Sequence, residues 1–462
     1  MKLKKFDFKL PKEEKRQKKI IITTISVIAL ILVITIASTF AYYQSIENQN
    51  PINTSVGEFS SGDLILTVTI DGIASETFPQ KNTGYVVSGV TCDKGASGTW
   101  NNSDWAIVVS NLTQSKTTCN TAFIQISTLR DYVLSQGGGT SIIEAKGNSA
   151  FNVVPNAATS GLYATEDEYG TSYYYRGERD SLSNNLIFAG FQWKIVRING
   201  DSSIRLIYNG TEAQFNSMST MNTTGANTQI GTSTFNANFD NNKFGGYMYG
   251  VASTSLAQAQ SNAINSTIKT YIDTWYANNI GNKGTIITSK LADNLFCNDR
   301  QLGREYLGAP TTGIGWNGTG YGMSVTNYAS FYRHITSRSN PIPTMKCAQK
   351  NDRFTVADTA IGNGSLIQPV GLITADEIVY GGLTLDYYNT SQYLSTSQSF
   401  WSMSSHHFDG DHANAWFVNQ YGGLTTFFVH HSYGVRPVIN LSSNAVVASG
   451  DGSATNPFKI NS

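Results

Sequence analysis

Five of the six histidines of this chain lie in one C-terminal stretch, which runs from Trp401 to Leu441. They are His406, His407, His412, His430 and His431, and only His334 lies elsewhere. Imidazole groups bind zinc, transfer protons in catalysis, or present a flat polar ring to a ligand. The spacing of these residues decides which of the three chemistries the sequence favours.

Zinc binding is only weakly indicated by the spacing. Four of the histidines form two adjacent pairs, and neighbours on a strand point to opposite faces, so at most one of each pair could join a common site. The HExxH motif does not occur, and "DGDHAN" at Asp409–Asn414 lacks the twelfth-position glutamate of an EF-hand. Loops could still gather three histidines. A zinc-binding surface protein therefore stays open as an alternative, while the sequence predicts no metal and no cofactor.

Catalysis has no clear signature either. The GxSxG motif of serine hydrolases is absent, and neither Ser404 nor Ser405 has a spacing that indicates a nucleophile. The sequence thus predicts a protein that is not an enzyme. A secreted hydrolase that uses the histidines is the other alternative.

A display surface for an external ligand is the remaining interpretation. Apolar framework positions alternate with polar or aromatic ones, which predicts strands separated by turns. Polar and aromatic side chains in turns on a rigid scaffold are suited to binding. Arg436 is assigned to the scaffold because it lies in the strand-like "GVRPVINL". The predicted ligand-binding residues are Ser405, His406, His407, Asp409, Asp411, His412, Asn414, Asn419, Tyr421, Thr425, Phe427, His430, His431 and Ser432.

The same stretch resembles a known family. "WSMS", "AWFV" and "YGVRPVINL", separated by polar positions, are similar to the C-terminal end of bacterial surface proteins with a C-type-lectin fold. The type is the one shared with formylglycine-generating enzymes, whose Gly-aromatic-Arg ending is Gly434-Val435-Arg436 here, with valine replacing the aromatic residue. Neither Cys297 nor Cys347 matches the active-site cysteines of those enzymes, so their activity is not implied.

Such domains include the variable target proteins of diversity-generating retroelements. The resemblance covers residues 148–462 and implies a loop-rich C-type-lectin-like domain with a hypervariable recognition surface for a protein, a glycan or a phage surface. The randomised codons end in a pyrimidine and cannot encode Lys, Glu, Gln, Met or Trp. Between Ser404 and Gly434, only Trp416 and Gln420 belong to that set.

The N-terminal residues predict export. Residues 1–19 hold nine basic residues against three acids, which indicates a cytoplasmic segment. Residues 20–43 are uncharged and long enough for a transmembrane signal anchor, with a cleaved signal peptide ending before Tyr42 as the alternative. Residues 44–56 form a polar stalk. The sequence thus predicts single-pass localisation in the cell membrane with extracellular C-terminal domains, and the net charge of zero implies no nucleic-acid partner.

The exported part is predicted to be an α+β protein with two folded domains. Residues 57–126 show alternating strand patterns and a hairpin turn at Asp71–Gly72, which predict a small β-sandwich-like module. Residues 127–147 form a connector with short helices capped by Ser127 and Ser141. The large domain, residues 148–462, is expected to be rich in loops.

Local patterns in the large domain predict three elements. "FQWKIVRINGDSSIRLIY" reads as a hairpin. A helix should follow the N-cap Ser266, with its aromatic stripe in the core, and Thr374 with Glu377 forms a capping box for another helix.

The four cysteines allow three pairings. Their spacing favours one bridge in each domain, Cys92–Cys119 and Cys297–Cys347, while four free buried thiols remain the alternative.

Overall fold

The chain divides into two compact units, of which the first ends at Gln125 and the second runs from Ile126 to Ser462. All the predicted ligand-binding residues lie in the second unit. The computed structural model describes residues 52–54, 64–79, 85–101, 104–125, 128–218, 220–221, 224–251, 255–303, 325–336, 340–385 and 387–460.

The first unit contains two sheets. One has the strand order β3-β2-β7-β4 and the other has the order β1-β6-β5, so β1, within the predicted stalk, is part of a sheet. The strands are β1 (Ile52–Thr54), β2 (Leu64–Ile70), β3 (Ile73–Ser75), β4 (Tyr85–Cys92), β5 (Ser97–Asn101), β6 (Ala106–Ser110) and β7 (Thr117–Gln125).

The predicted hairpin turn and disulfide of this unit are confirmed. Asp71 and Gly72 both have positive φ, at 50° and 80°, as a two-residue turn between β2 and β3 requires. Cys92 and Cys119 lie directly opposite each other on β4 and β7 and form a disulfide. Ile107 and Val109 of β6 pack beside Cys119 in a small core.

The second unit has many short strands and few long helices. Its strands are β8 (Gly161–Glu166), β9 (Thr171–Arg176), β10 (Asn185–Phe188), β11 (Phe191–Ile198), β12 (Ile204–Thr211), β13 (Thr232–Thr234), β14 (Met248–Tyr249), β15 (Ile264–Asn265), β16 (Phe296–Cys297), β17 (Thr326–Asn327), β18 (Arg353–Phe354), β19 (Phe400–Phe408), β20 (Ala413–Val418), β21 (Leu424–Phe428), β22 (Ser432–Gly434), β23 (Val438–Leu441), β24 (Val447–Ser449) and β25 (Phe458–Ile460). Its helices are α1 (Leu129–Gln136), α2 (Thr140–Lys146), α3 (Glu212–Met218), α4 (Leu256–Ala259), α5 (Thr267–Asn279), α6 (Thr285–Thr288), α7 (Ala329–Phe331) and α8 (Ala375–Gly381).

Two large sheets form the centre of this unit. The first has the order β23-β12-β11-β10-β25-β24, with β9 paired to β11 and β8 paired to β9. The second has the order β13-β22-β19-β20-β21, with β17 added beside β19. Buried side chains from both sheets, from α5 and from α8 belong to one continuous hydrophobic core. The second sheet carries the C-terminal stretch.

The elements predicted from local patterns are confirmed. Strands β11 and β12 pair as an antiparallel hairpin, and α5 begins after the N-cap Ser266. Thr374 and Glu377 form the capping box of α8. In the predicted connector, however, Thr128 caps α1 and Gly139 precedes α2, in place of Ser127 and Ser141.

The predicted connector packs as part of the second unit. Leu129 and Val133 of α1 are fully buried in its core, and the backbone N–H of Leu129 donates to Ala445 O at 2.8 Å. These contacts tie residues 128–147 to the C-terminal end of the chain.

The predicted α+β class is wrong. Strand accounts for 35% and helix for 21% of the structure, so the protein is mostly β. Within the described ranges, only α5 exceeds eight residues. Segments expected to be irregular loop instead form strands of two or three residues, such as β13, β17 and β22, whose partners lie far away in the sequence.

The predicted membrane helix and single-pass localisation are likewise corrected. No helix in the described part of the chain combines the length and the apolar character that crossing a bilayer requires. The predicted span, residues 20–43, and the basic segment before it lie outside that part.

The second predicted disulfide is confirmed. Cys297 and Cys347 are bonded, with their Cα atoms 5.7 Å apart. Cys297 lies on β16, which pairs with β18, so the disulfide holds the segment around Cys347 next to this two-stranded sheet.

Candidate ligand-binding surface

The histidine stretch folds into three consecutive antiparallel strands, β19, β20 and β21. The structure corrects the predicted turn positions of several site residues. Ser405, His406 and His407 lie within β19, and Asn414 lies within β20. Strand β19 extends through the histidine pair, where His407 pairs with Asn414 of β20 on one side and with Asn327 of β17 on the other.

Three of the predicted ligand-binding residues are buried. Ser405 is fully buried and its Oγ donates to Gly245 O at 2.7 Å, while Asn414 donates to His412 O at 3.0 Å. His406 is 2% exposed and packs edge-on against Trp416, with ring centroids 4.3 Å apart. In this structure these side chains are therefore part of the core and not of a ligand-facing surface.

Burial keeps the histidine pair of β19 neutral. It lowers the pKa of His406 well below the ordinary value, and the neighbouring His407 adds to the effect. Burial also lowers the pKa of His407 to about 4, although Asp409 acts in the opposite direction. A hydrogen bond joins the two Nδ1 atoms, so one neutral imidazole donates and the other accepts.

The turn between β19 and β20 is built around Asp409. Its Oδ1 accepts the backbone N–H groups of Asp411 at 2.9 Å and of His412 at 2.6 Å. Partial burial raises the pKa of Asp409, but these hydrogen bonds outweigh it and hold the pKa below its ordinary value. The carboxylate thus stabilises the turn, and His412 is left partly exposed at its end.

Imidazole and phenyl rings from three segments meet at this end of the sheet. His412 stacks on Phe239 with ring centroids 5.0 Å apart, and His430 contacts the same phenyl ring at 4.2 Å. Phe428 lies 4.4 Å from His412, and His431 lies 4.7 Å from His430. We call this set, in which every ring is partly or largely exposed, the His–Phe surface: Phe239, His412, Phe427, Phe428, His430 and His431.

Sequence reasoning missed Phe239. It is the one aromatic residue in the polar run "NANFDNN", and nothing local ties that run to the C-terminal strands. The connection is made by the backbone, because Ala413 N–H donates to Phe239 O at 2.8 Å and Asn236 N–H donates to Val429 O at 3.0 Å.

The His–Phe surface is arranged for ring contacts more than for metal binding. Among the described residues, no three His, Cys, Asp or Glu side chains come together in a way that could hold a metal ion. The rings of His412 and His430 have their centroids 5.8 Å apart, with Phe239 against both. Burial, and then the nearby His431 and His412, lower the pKa of His430, which favours its neutral form at neutral pH.

A second group of predicted residues lies at the opposite end of the β20–β21 hairpin. Asn419 Oδ1 accepts from the backbone N–H groups of Tyr421 at 2.9 Å and Gly423 at 3.0 Å, which fixes the turn. Tyr421 is 52% exposed and contacts Tyr388, which is 65% exposed. We call this group, Tyr387, Tyr388 and Tyr421, the Tyr surface.

The predicted residues therefore do not form one continuous site. Strands β20 and β21 separate the two surfaces by roughly 20 Å at the usual rise per residue. Thr425 lies between them on β21, whereas Phe427 belongs to the His–Phe surface and packs against Tyr433 with ring centroids 5.9 Å apart. Ser432 is exposed at the start of β22. Tyr387 and Tyr388 were missed, although "DYYNTSQY" is conspicuously rich in tyrosine.

The scaffold role predicted for Arg436 is confirmed. Its buried guanidinium donates to Tyr208 O at 3.0 Å, to Leu394 O at 2.8 Å and to Asn209 Oδ1 at 3.1 Å. Trp401 Nε1 donates to Ser233 O at 3.0 Å from a fully buried ring.

Buried ion pairs join helix α8 to strands β11 and β12. Glu377 Oε1 lies 3.0 Å from Arg197 Nε and 2.6 Å from Arg205 Nε, and Asp376 Oδ2 lies 2.6 Å from Arg333 Nη2. The cavity among these groups measures about 20 Å³, which is space for roughly one water molecule. This cavity is therefore too small to admit a substrate in this conformation.

Hydrogen bonds connect the segment that carries this charged cluster to strand β19. Ala375 N–H donates to Ser404 Oγ at 3.0 Å, and Met403 N–H donates to Ile373 O at 2.7 Å. Trp416 Nε1 donates to Ser330 Oγ at 2.9 Å. Strands β19 and β20 are therefore held by fixed partners along their length.

Comparisons of this chain with protein-family models, with curated proteins and with solved structures find no match.

Proposed function

We propose that this protein is an adhesin-like or receptor-like ligand-binding protein that uses the His–Phe surface for recognition. The observation that carries the proposal is the group of partly exposed aromatic and imidazole rings that His412, His430 and Phe239 form at the end of a rigid sheet. Rings held in place provide contact area at little cost in side-chain entropy. The proposal assigns binding and not catalysis.

The chemistry of the surface favours a ligand with both flat apolar and polar groups. Burial lowers the pKa of His430, which favours its neutral form, and a neutral imidazole can donate one hydrogen bond and accept another. The phenyl rings of Phe427 and Phe428 exclude water around them. A protein surface, a glycan or a phage surface can offer this combination.

A paired-variant experiment tests this function. Labelled wild-type protein is applied to arrays of glycans, extracellular proteins and phage particles. A variant with His412→Ala and His430→Ala should lose the wild-type ligands, whereas Tyr388→Ala, at the other end of the hairpin, should retain them. Retention of every wild-type ligand by the histidine variant, with equal melting temperatures, would contradict the proposal.

We propose further that this surface is hypervariable. The support is the resemblance of the C-terminal stretch to variable targets of diversity-generating retroelements, together with positions on strand ends where side chains can change without altering the backbone ladder. Sequencing of the DNA beside the gene tests it. A near-identical repeat of the C-terminal segment next to a reverse transcriptase, differing mainly at adenines, is expected. Its absence from the surrounding genome would reject hypervariability and leave the binding proposal standing.

A further inference from the structure

A groove runs along helix α5 on the second unit. It has a volume of about 750 Å³, within the range of roughly 300–1,000 Å³ for small-molecule sites. One wall is formed by α5 from Thr267 to Asn279, and the other by Ser233 and residues 236–238. Tyr249, Asn265 and Ser266 complete the lining.

The lining is polar, aromatic and uncharged. It consists of five asparagines, five serines or threonines, three aromatic residues and one alanine, so none of the described residues that line the groove carries a charge. The charged residues of α5 are engaged with each other, since Lys269 Nζ lies 2.5 Å from Asp273 Oδ2. A phosphorylated or strongly charged ligand would find no counter-charge in this lining.

The helical repeat aligns the groove residues on one face. Thr267, Thr270, Thr274 and Asn278 follow at intervals of three or four residues and are exposed. They line the groove together with two half-buried aromatic residues. The hydroxyls of Thr270 and Thr274 donate to Ser266 O at 3.2 Å and to Thr270 O at 2.8 Å, which leaves their oxygens as acceptors for a ligand.

Those two rings are fixed by the core behind them. Trp275 packs against Phe191 and Tyr208, with ring centroids 5.4 and 5.6 Å away. Tyr271 donates its hydroxyl proton to Ile230 O at 3.3 Å. A ligand that covers these rings would not have to order them, which lowers the entropic cost of binding.

An unsatisfied donor lies in the opposite wall. Asn236 is 2% exposed, and its Nδ2 has no hydrogen-bond partner in the structure. A buried amide donor without a protein partner is open to an acceptor from a ligand or a water molecule. Asn236 lines this groove, where a ligand hydroxyl could supply the acceptor after a small local adjustment.

We infer that the groove along α5 binds a neutral saccharide. Sugar rings have an apolar C–H face that covers aromatic rings such as Trp275 and Tyr271, and their hydroxyl groups both donate to and accept from asparagine amides. The uncharged lining selects neutral over acidic sugars. The groove shares no lining residue with the His–Phe surface, although residues 236–238 directly precede Phe239, and its ligand need not be the one bound there.

The test uses the full chain and a defined panel of sugars. Saturation-transfer NMR and calorimetry measure binding of neutral trisaccharides of glucose, mannose, galactose and N-acetylglucosamine, with galacturonic acid trisaccharide as the acidic comparison. At least one neutral trisaccharide should bind with a dissociation constant of about 1 mM or lower, more tightly than the acidic one.

Matched variants locate the site. Thr270→Arg and Thr274→Arg place a long side chain in the groove from exposed positions and should weaken binding by about tenfold or more. Ala277→Arg adds the same charge on the same helix, at an exposed position outside this lining, and should change binding by less than about twofold.

Three results would overturn the inference. They are failure of wild-type protein to bind any neutral trisaccharide of the panel, equal binding by Thr270→Arg, Thr274→Arg and wild type, and tighter binding of the acidic trisaccharide. The His412→Ala, His430→Ala variant should keep sugar binding, which separates this test from that of the His–Phe surface. Unchanged circular dichroism and melting temperature confirm that each variant is folded. If Thr274→Arg is not folded, Thr270→Arg alone tests the groove.

Discussion

The histidines of the C-terminal stretch have two different roles at the residue scale. His406 is a core residue against Trp416 and Phe331, whereas His412 and His430 lie at the surface against Phe239. The difference depends on what covers each ring and not on the residue type. The sequence could not show it, because Phe331 and Phe239 come from segments far away in the chain.

The buried imidazoles make folding sensitive to acid. The pKa of His407 is about 4 in the folded chain and about 6.5 in an unfolded chain, so the unfolded state binds the proton first as the pH falls. His407 therefore lowers the free energy of unfolding as the pH drops from about 6.5 towards about 4. Urea denaturation at about pH 7 and about pH 5 should show a smaller decline for His407→Gln than for wild type.

The comparison with wild type isolates this effect from that of other groups. Burial raises the pKa of Asp299 above its ordinary value despite the nearby Arg333, so this carboxyl contributes more to the free energy of unfolding as the pH falls. Both proteins share that contribution. Equal declines for the two proteins would mean that His407 is protonated equally easily in both states.

Arg436 and Tyr421 should respond oppositely to truncation. Arg436→Ala removes three hydrogen bonds and leaves buried carbonyl groups without a donor, so we expect a loss of about 3 kcal/mol or more in the free energy of unfolding. Tyr421→Ala removes a largely exposed ring and should cost about 1 kcal/mol or less. Chemical denaturation measures both. Comparable losses would show that Tyr421 belongs to the core.

At the element scale, local signals predicted the elements that local interactions stabilise. The β11–β12 hairpin and the helix after Ser266 follow from alternation, turn residues and capping within one segment. The pairing of β17 with β19 was not predictable, because a strand of two residues has no periodicity. The residues of β19 around His407 were predicted as a turn, although they pair with both β17 and β20.

Glu377 of helix α8 belongs both to the capping box and to the buried ion pairs with Arg197 and Arg205. Thr374→Ala removes half of the capping box and should cost about 1 kcal/mol. Glu377→Gln should cost about 3 kcal/mol or more, since it leaves Arg197 and Arg205 buried with less opposing charge. Denaturation of both variants gives the comparison. A loss for Glu377→Gln no larger than that for Thr374→Ala would show that the ion pairs contribute little beyond the cap.

At the scale of the whole molecule, the two disulfides divide between the two units. Cys92–Cys119 closes a loop in the first unit and Cys297–Cys347 closes a longer one in the second, with sequence separations of 27 and 50. Their spacing was sufficient to predict the pairs. The fold class was not predictable in the same way, since short strands of polar composition resemble loops until their distant partners are known.

Each disulfide should stabilise only its own unit. Replacing both Cys297 and Cys347 by serine should destabilise the second unit by about 4 kcal/mol on the loop-entropy estimate and leave the unfolding of the first unit unchanged. Chemical denaturation followed separately in each unit measures the loss of stability. Non-reducing peptide mapping of the wild-type protein checks which cysteines are paired. A fragment linking Cys92 to Cys347 would contradict the pairing.

Among the described residues, strand β21 is the last strand in its sheet, and its first residue, Leu424, is the one that is bridged on the outer side, by Leu385. Its sequence, "LTTFF", contains neither a charge nor a proline, the two devices that usually prevent an edge strand from pairing with another chain. Concentrated protein should therefore self-associate through this edge. A lysine at Thr426, halfway along β21, should keep the chain monomeric in light scattering while leaving the sheet intact.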